Sequence, residues 1–223
     1  MNPQDAQRLL HERADVLGQP LSERQGEQLW RYLQLLVHWN RVYNLTAIRQ
    51  EEDMIHQHLV DSLAALPALR RWAAHRPDAG APRILDVGSG GGLPGVVWSV
   101  LQPDWPVVCI DAVAKKATFV RQVAGELKLK HLEAHHTRVE RWAGPAGAEK
   151  FDLIASRAFA ALADFVTWTQ HLLAPGGVWL ALKGRQPDEE LAALPADIDV
   201  FHVEPLQVPG LDAQRCLVWM RKK

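Results

Sequence analysis

The stretch Ile84-Leu85-Asp86-Val87-Gly88-Ser89-Gly90-Gly91-Gly92-Leu93-Pro94-Gly95 decides how this chain folds. It begins with a short apolar strand, predicted over 83–87, and passes through a glycine-rich turn into an apolar helix, predicted over about 93–101. Glycines at such a turn adopt positive φ and let a ligand approach the backbone closely. The N-terminus of the helix is expected to offer free N–H groups. The stretch therefore predicts a site for an anionic or strongly polar cofactor.

The spacing of the glycines leaves two cofactors open. Read from Asp86, the pattern is an acid followed by Gly88, Gly90 and Gly92 at alternate positions. The dinucleotide fingerprint G-x-G-x-x-G also fits, as Gly90, Gly92 and Gly95. The acid two residues before the first glycine favours S-adenosylmethionine, because the stretch resembles the cofactor loop of class I methyltransferases. A plain glycine-rich connection would not explain the strand, acid, glycines and helix occurring in this order.

A second apolar strand, predicted over 107–110, is followed by an acid. Asp111 stands 21 positions after Gly90. An acid near this offset can hold the ribose diol of a bound nucleoside through charge-assisted hydrogen bonds. Because S-adenosylmethionine and NAD both carry such a ribose, Asp111 indicates a nucleoside ligand without choosing between them.

Composition restricts the partners. The 223 residues carry 25 basic and 26 acidic side chains, so the chain is not broadly basic, and a nucleic-acid contact would need a local patch. No apolar run reaches membrane-spanning length. The N-terminal segment is polar and has no secretion signal. Cys109 and Cys216 lie in apolar runs and are interpreted as reduced core residues. We expect a cytoplasmic protein that acts as a monomer, with no membrane and no metal.

The order of elements predicts an α/β fold with an N-terminal extension. Residues 1–75 are predicted to form helices over 3–17, from a capping box at Ser22 to about Asn40, and over about 51–66. Residues 76–223 alternate strands and helices, which predicts a Rossmann-like, mainly parallel seven-stranded sheet with helices on both faces. The predicted helices lie at about 114–128 and 162–173. Pro175-Gly176-Gly177 is predicted to be a turn before a strand at 178–182, and the last two strands, at 200–203 and 216–220, to be antiparallel.

Ligands bind outside the carboxyl ends of parallel strands, and several polar residues follow those ends. Lysines in the first turn of a helix are unfavourable beside its dipole, so Lys115 and Lys116 suggest phosphate contact, although two solvated lysines remain an alternative. With Arg157 and Lys183 they would make a positive rim suited to RNA. The predicted RNA-binding residues are Lys115, Lys116, Lys183 and Arg185.

Two further groups of residues have open roles. His58, Asp61 and Ser62 share one side of the predicted third helix, either as a hydrogen-bonded cluster or as a face that borders the cofactor pocket. Asn44 and Thr46 are interpreted as turn and cap residues.

The segment after the fourth strand, Ser156-Arg157-Ala158-Phe159, lacks the Asn/Asp-Pro-Pro-aromatic motif of the methyltransferases that act on adenine amino groups. Neither cysteine stands where cytosine C5 enzymes place their nucleophile. The target atom should therefore need no covalent activation. Guanine N7 fits, because it carries an exposed lone pair that can attack a sulfonium methyl directly, leaving catalysis to alignment.

Together these motifs resemble the bacterial small-subunit ribosomal RNA guanine-N7 methyltransferases, the RsmG or GidB family. The resemblance runs from about Leu29 to the end of the chain and rests on Trp39-Asn40, Tyr43-Asn44-Leu45-Thr46, His58 with Asp61-Ser62, the glycine stretch, Arg138-Val139-Glu140 and Ser156-Arg157-Ala158-Phe159. A longer Gly/Ala/Pro loop at 143–148 is the main departure, and it is predicted to be flexible and exposed.

The resemblance implies methylation of guanine N7 at position 527 of 16S RNA, on naked RNA, the small ribosomal subunit or its precursor. It also implies S-adenosylmethionine contacts at Gly88, Leu93, Val139, Glu140 and Arg157, to which the residues themselves add Gly90 and Asp111. Arg157 is the candidate catalytic residue. Another class I methyltransferase, acting on a different RNA, a small molecule or a protein, and an NAD-linked oxidoreductase are the alternatives.

Overall fold

The structure is a computed structural model that describes residues 2–76, 80–144 and 150–223. Residues 145–148 of the loop predicted to be flexible lie outside these ranges. Within the described part of the chain, no helix combines the length and apolar character needed to cross a membrane.

A seven-stranded sheet forms the centre of the molecule, as predicted. Its spatial order is β3-β2-β1-β4-β5-β7-β6. The first five strands pair in parallel, and β7 runs antiparallel to both β5 and β6, which confirms the predicted final pair. The strands are β1 (Ile84–Val87), β2 (Val107–Asp111), β3 (Leu132–His136), β4 (Phe151–Arg157), β5 (Leu173–Lys183), β6 (Ile198–Leu206) and β7 (Arg215–Lys222).

Alternate residues of the central strands face two different apolar layers. Ile84 belongs to the layer that the N-terminal helices build with α6 (Gly95–Leu101) and α7 (Ala114–Leu127). Leu85, the next residue, belongs to the layer on the other face, with α8 (Leu162–Thr169) and the short α9 (Asp188–Ala192). Because both faces are covered, β1 and β2 are buried along their whole length. Short 3-10 turns occupy Val139–Arg141 and Gln170–Leu172.

The N-terminal helices pack directly on the first face of the sheet. They begin with α1 (Pro3–Val16) and α2 (Glu23–Tyr43), which starts at the predicted capping box of Ser22 and Gln25. The apolar stripe of α2, Leu29, Leu33 and Leu36, is fully buried in the same cluster as Ile84. The helix ends three residues later than predicted, where Asn44 takes a left-handed conformation with φ of 50°.

The predicted third helix is not one regular helix. The chain forms α3 (Glu51–Met54), a π-helical segment (Ile55–Val60), α4 (Asp61–Ala64) and α5 (Leu66–Ala74). The Asp61 N–H donates to the His56 carbonyl, five residues back. The prediction was wrong here because apolar spacing of 3.6 residues does not reveal one widened turn. Such turns are frequent at functional sites.

Two further boundaries differ from the predictions. Pro175-Gly176-Gly177 lies inside β5 rather than in a turn before it, because Leu173 already pairs with Phe151 and the regular register resumes only at Val178. The extra residues form an irregularity in which Gly176 has φ of +75°. The helix after the glycines begins at Gly95, two residues later than predicted.

Candidate cofactor and substrate site

The loop glycines serve different purposes. Gly88, Gly90 and Gly92 all have positive φ, at 67°, 58° and 87°. A Cβ atom at Gly88 would lie 2.5 Å from the Phe159 ring, and one at Gly92 would lie 2.5 Å from Val96. A Cβ atom at Gly90 would meet nothing closer than the Gly88 carbonyl oxygen at 4.0 Å. Close packing therefore requires Gly88 and Gly92, whereas Gly90 borders open space that a cofactor can fill.

Asp86 lies beneath the loop and is fully buried. Its Oδ2 atom accepts the Gly95 N–H at 2.9 Å, and its Oδ1 atom has no hydrogen-bond partner among the described residues. Burial raises the pKa of this carboxyl to about 7. The expectation of free N–H groups at this helix start is wrong for Gly95, because the motif's own acid binds that group.

Asp111 connects the loop to the end of β2. Its Oδ2 atom accepts the Gly90 N–H at 3.0 Å, and its Oδ1 atom accepts the Val113 N–H at 2.8 Å. The carboxylate therefore fixes the open glycine and the start of α7 together. Each carboxylate oxygen retains further acceptor capacity, so these bonds are compatible with the predicted ribose contact.

A cleft of about 510 Å³ opens between the N-terminal helices and the carboxyl ends of β1, β4 and β5. It brings together five predicted site residues, namely Gly88, Gly90, Leu93, Arg157 and Lys183. It also contains residues that the sequence did not assign to the cofactor, including Leu36, Thr46, His58, Asp61 and Arg215. The other predicted residues lie outside this lining, namely Asp111, Lys115, Lys116, Val139, Glu140 and Arg185.

A cluster of polar contacts in the cleft joins three distant parts of the chain. Asp61 Oδ2 accepts from Arg157 Nη1 at 3.0 Å, and Asp61 Oδ1 accepts from Arg215 Nε at 2.7 Å. The Asp61 side chain is only 5% exposed. Arg157 also donates to the Gln57 carbonyl at 2.9 Å. One carboxylate from α4 thus orients two arginines, from β4 and β7, at the wall of the cleft.

His58 stands next to this cluster. Its Nε2 atom lies 2.8 Å from the Thr46 hydroxyl, and its Nδ1 atom lies 3.4 Å from Arg157 Nη2. Burial, reinforced by the charge of Arg157, lowers the pKa of His58 to about 4. The histidine and Asp61 therefore do border the pocket. Ser62 does not line it, because its hydroxyl donates to the His58 carbonyl within the helix.

Asn44 and Thr46 have the turn and cap roles that were predicted. Asn44 ends α2 in the left-handed region, and the Thr46 hydroxyl accepts the Ile48 N–H at 3.2 Å. Thr46 additionally lines the cleft through its contact with His58.

Most cations of the predicted positive rim contact other groups of the protein. Lys183 donates to both carboxylate oxygens of Glu190 and to the Ala160 carbonyl. Lys116 lies 3.9 Å from Asp111, and the Lys115 ammonium lies over the Tyr43 ring at 6.0 Å. Arg185 is exposed and pairs with no acid in the described part of the chain. The rim is thus less positive than the sequence indicated, because Glu190 and Asp111 offset the charges of Lys183 and Lys116.

The segment after β4 is strained. Ala158, a cleft residue, has φ of +54°, a conformation unfavourable for a residue with a Cβ atom. The turn directs the Phe159 ring against Gly88. The ring packs edge-on against Phe165 and Trp168, with ring centroids 6.4 and 5.9 Å apart. Strained residues of this kind cluster at functional sites, and Ala158 lies at the ligand edge of the sheet.

Sequence reasoning missed Arg215 and Tyr32. Arg215 lies 154 residues from its partner Asp61, and the pattern around it indicates only a strand. The Tyr32 hydroxyl donates to the Gly91 carbonyl at 2.6 Å, which ties α2 to the cofactor loop. In sequence, Tyr32 is one more residue of an apolar stripe, so nothing local distinguished it.

The sheet order, the glycine loop after β1 and the acid that ends β2 define a class I S-adenosylmethionine-dependent methyltransferase fold. A solved S-adenosylmethionine-dependent methyltransferase from Thiobacillus denitrificans, in complex with S-adenosyl-L-homocysteine, shares this fold. The TM-score is 0.55, with 16% identity over 82% of this chain and 98% of that one.

The family is more specific. The family model "rRNA small subunit methyltransferase G" matches residues 25–218. Ribosomal RNA small subunit methyltransferase G of Acidovorax ebreus is 56% identical over 216 residues, which cover 95% of this chain and 93% of the relative. The protein of the same name from Leptothrix cholodnii is 57% identical, over 94% of this chain and 93% of its own length. This chain belongs to the rRNA small subunit methyltransferase G family.

Proposed function

We propose that this protein transfers the methyl group of S-adenosylmethionine to N7 of a guanine in 16S ribosomal RNA, at position 527 by family resemblance. The observation that carries the proposal is the family match, which spans residues 25–218. The site supports it independently, because Gly90 leaves open space beside the Asp111 carboxylate and beside the cleft. Acting on ribosomal RNA agrees with the cytoplasmic location expected above. We also propose a monomer, which sedimentation of the purified protein would test.

The cofactor would lie along the loop on the side where Gly90 is open. Asp111 would hold its ribose hydroxyls, and Val139 and Glu140 would border its adenine side, on the 3-10 turn after β3. Bound there, S-adenosylmethionine would supply a sulfonium methyl group that the guanine N7 lone pair could attack, with the thioether as the leaving group. Arg157 lines the cleft between this loop and the N-terminal helices, and we propose that it contacts both ligands.

The cleft favours an acceptor that needs no deprotonation. Its described lining contains one histidine and one carboxylate, His58 and Asp61. Asp61 is bound by two arginines, and His58 is buried against Thr46 and Arg157. Neither group is free to accept a proton from an incoming nucleotide. Guanine N7 carries no proton, so alignment beside the cofactor is sufficient for its attack.

The test is methylation of small subunits and 16S RNA from cells that lack this gene. Labelled S-adenosylmethionine reports transfer, and borohydride followed by aniline cleaves RNA at N7-methylguanine. We expect one cleavage that depends on the protein. Labelled RNA that resists cleavage would move the target to an exocyclic or carbon atom, and absence of label on either substrate would contradict the proposal.

Two glycine substitutions, one in the loop and one in a helix, test the predicted cofactor binding. Gly90→Asp should abolish S-adenosylmethionine binding in calorimetry, because it fills the open space and adds a negative charge beside Asp111 at a positive φ. Gly125→Asp is the matched control, since Gly125 lies in α7 with nothing within 4 Å of a Cβ atom there. Binding of NAD instead of S-adenosylmethionine by the wild-type protein would favour the oxidoreductase alternative.

A further inference from the structure

Helices α2 and α7 lie side by side in opposite directions. Arg31 of α2 pairs with Glu126 near the C-terminus of α7 at 2.5 Å, and Trp39 contacts Phe119 in the middle at 5.4 Å between ring centroids. The last residue of α2, Tyr43, meets Lys115 in the first turn of α7. Because α7 begins just after Asp111, Tyr43 stands at the ligand edge of the sheet.

The Tyr43 ring is both fixed and accessible. It packs on Trp39 with ring centroids 4.9 Å apart, yet 40% of the residue is exposed. The Lys115 ammonium lies 6.0 Å from the ring centroid, and no acid in the described part of the chain pairs with it. Val42, beside Tyr43, is 68% exposed. A preset aromatic surface with an unneutralised cation fits an unpaired nucleic-acid base and its phosphate.

A comparison with Phe201 shows which features set Tyr43 and Lys115 apart. It is the other exposed aromatic residue of the described ranges, at 39%, and it too has a cation over its ring, Arg221 at 5.0 Å. Arg221, however, pairs with Asp199 at 2.8 Å, so its charge is offset. Phe201 also lies in the middle of the edge strand β6 rather than at the ligand edge. It therefore has the exposed ring without the free charge or the location.

We infer that Tyr43 and Lys115 form a platform on which an unpaired base of the substrate RNA stacks, with the ammonium on the adjacent phosphate. This inference rests on the proposed function and assigns a role to Tyr43, which the sequence left without one. The partner is single-stranded RNA, because bases within a duplex do not expose their faces to a side chain. Stacking of this kind tolerates any base, so the platform would hold the RNA rather than select the target guanine.

The test compares Tyr43→Leu, which removes the ring, with Tyr43→Phe, which keeps it. RNA affinity, the RNA KM and S-adenosylmethionine affinity are measured for each. Tyr43→Leu should weaken RNA binding roughly 5- to 150-fold, the range for loss of one base stack, and leave cofactor affinity unchanged. Tyr43→Phe and the control Phe201→Leu should bind RNA like the wild type. Lys115→Gln should reduce the salt slope of RNA binding by about 0.7, as expected for one lost phosphate contact on a single strand.

The outcomes separate this inference from the proposed function. If the wild type methylates RNA and Tyr43→Leu binds it normally, the platform is disproved while the function stands. If Tyr43→Leu loses cofactor affinity as well, the ring belongs to the cofactor pocket and the inference is overturned. An equal loss in Phe201→Leu would likewise refute a specific platform. Failure of the wild type to methylate RNA contradicts the proposed function, and RNA binding by the variants then still tests the platform directly.

Discussion

His58 lies on the helical wall of the cleft, and Asp86 lies beneath the glycine loop on the sheet wall. Both are buried, and burial moves both pKa values toward the uncharged form, to about 4 for His58 and about 7 for Asp86. Asp61 is nearly as buried, but it makes ion pairs with arginines from β4 and β7. The comparison shows that burial shifts His58 and Asp86, which have no countercharge paired with them among the described residues, toward their neutral forms, whereas Asp61 on the helical wall has two arginine partners from the sheet.

The largest effect should come from breaking the contact between the walls. Asp61→Ala leaves Arg157 and Arg215 without their shared carboxylate, and removing one partner of a buried pair costs about 3 kcal/mol or more. Urea unfolding would measure the loss. Asp199→Ala is the control, because its pair with Arg221 is solvent-exposed and should cost about 1 kcal/mol at most. Equal losses in the two variants would show that the Asp61 contact does not join the walls.

The same comparison explains what the sequence could and could not predict. The strands, the glycine loop and the capping box at Ser22 are encoded by patterns within a dozen residues, so they were predicted. The contact between Asp61 and Arg215 spans 154 residues, and no local pattern reports it. The π-helical turn at Ile55–Val60 and the bond from Gly95 to Asp86 also depend on tertiary packing. The glycine loop was thus predicted in outline, and for the helical wall the sequence offered only the alternative that the face with His58 and Asp61 borders the pocket.

The second largest effect concerns Asp86 on the sheet wall and its contribution to stability as a function of pH. An unfolded aspartate has a pKa near 3.9, below the value of about 7 in the folded protein, so the folded state binds more protons between these values. Stability from this group is therefore lost as pH rises from about 4 to 7. Asp86→Asn should remove that loss, while its amide oxygen can still accept the Gly95 N–H. As pH rises from 5 to 8, the free energy of unfolding of Asp86→Asn should increase by about 2–4 kcal/mol relative to that of the wild type. Unfolding curves that stay parallel across this range would contradict a neutral Asp86.

The smallest effect concerns His58 on the helical wall, whose contribution to stability depends on pH with the opposite sign. The folded pKa of His58, about 4, lies below the unfolded value of about 6.5, so the unfolded state binds more protons between these values. Stability from this group is complete above pH 6.5 and is lost as pH falls toward 4. As pH falls from 7 to 4.5, the free energy of unfolding of His58→Gln should therefore increase by about 1–3 kcal/mol relative to that of the wild type. In the wild type the two groups offset each other over this range, and each single variant should expose the slope of the other.

The variant His58→Gln also tests catalysis, because guanine N7 carries no proton and its attack should need no base. Methyl transfer by His58→Gln at saturating RNA and cofactor should remain close to wild type and show no strong rise from pH 6 to 8. A large rate loss in His58→Gln across this pH range would instead make His58 a general base and would require an acceptor that carries a proton.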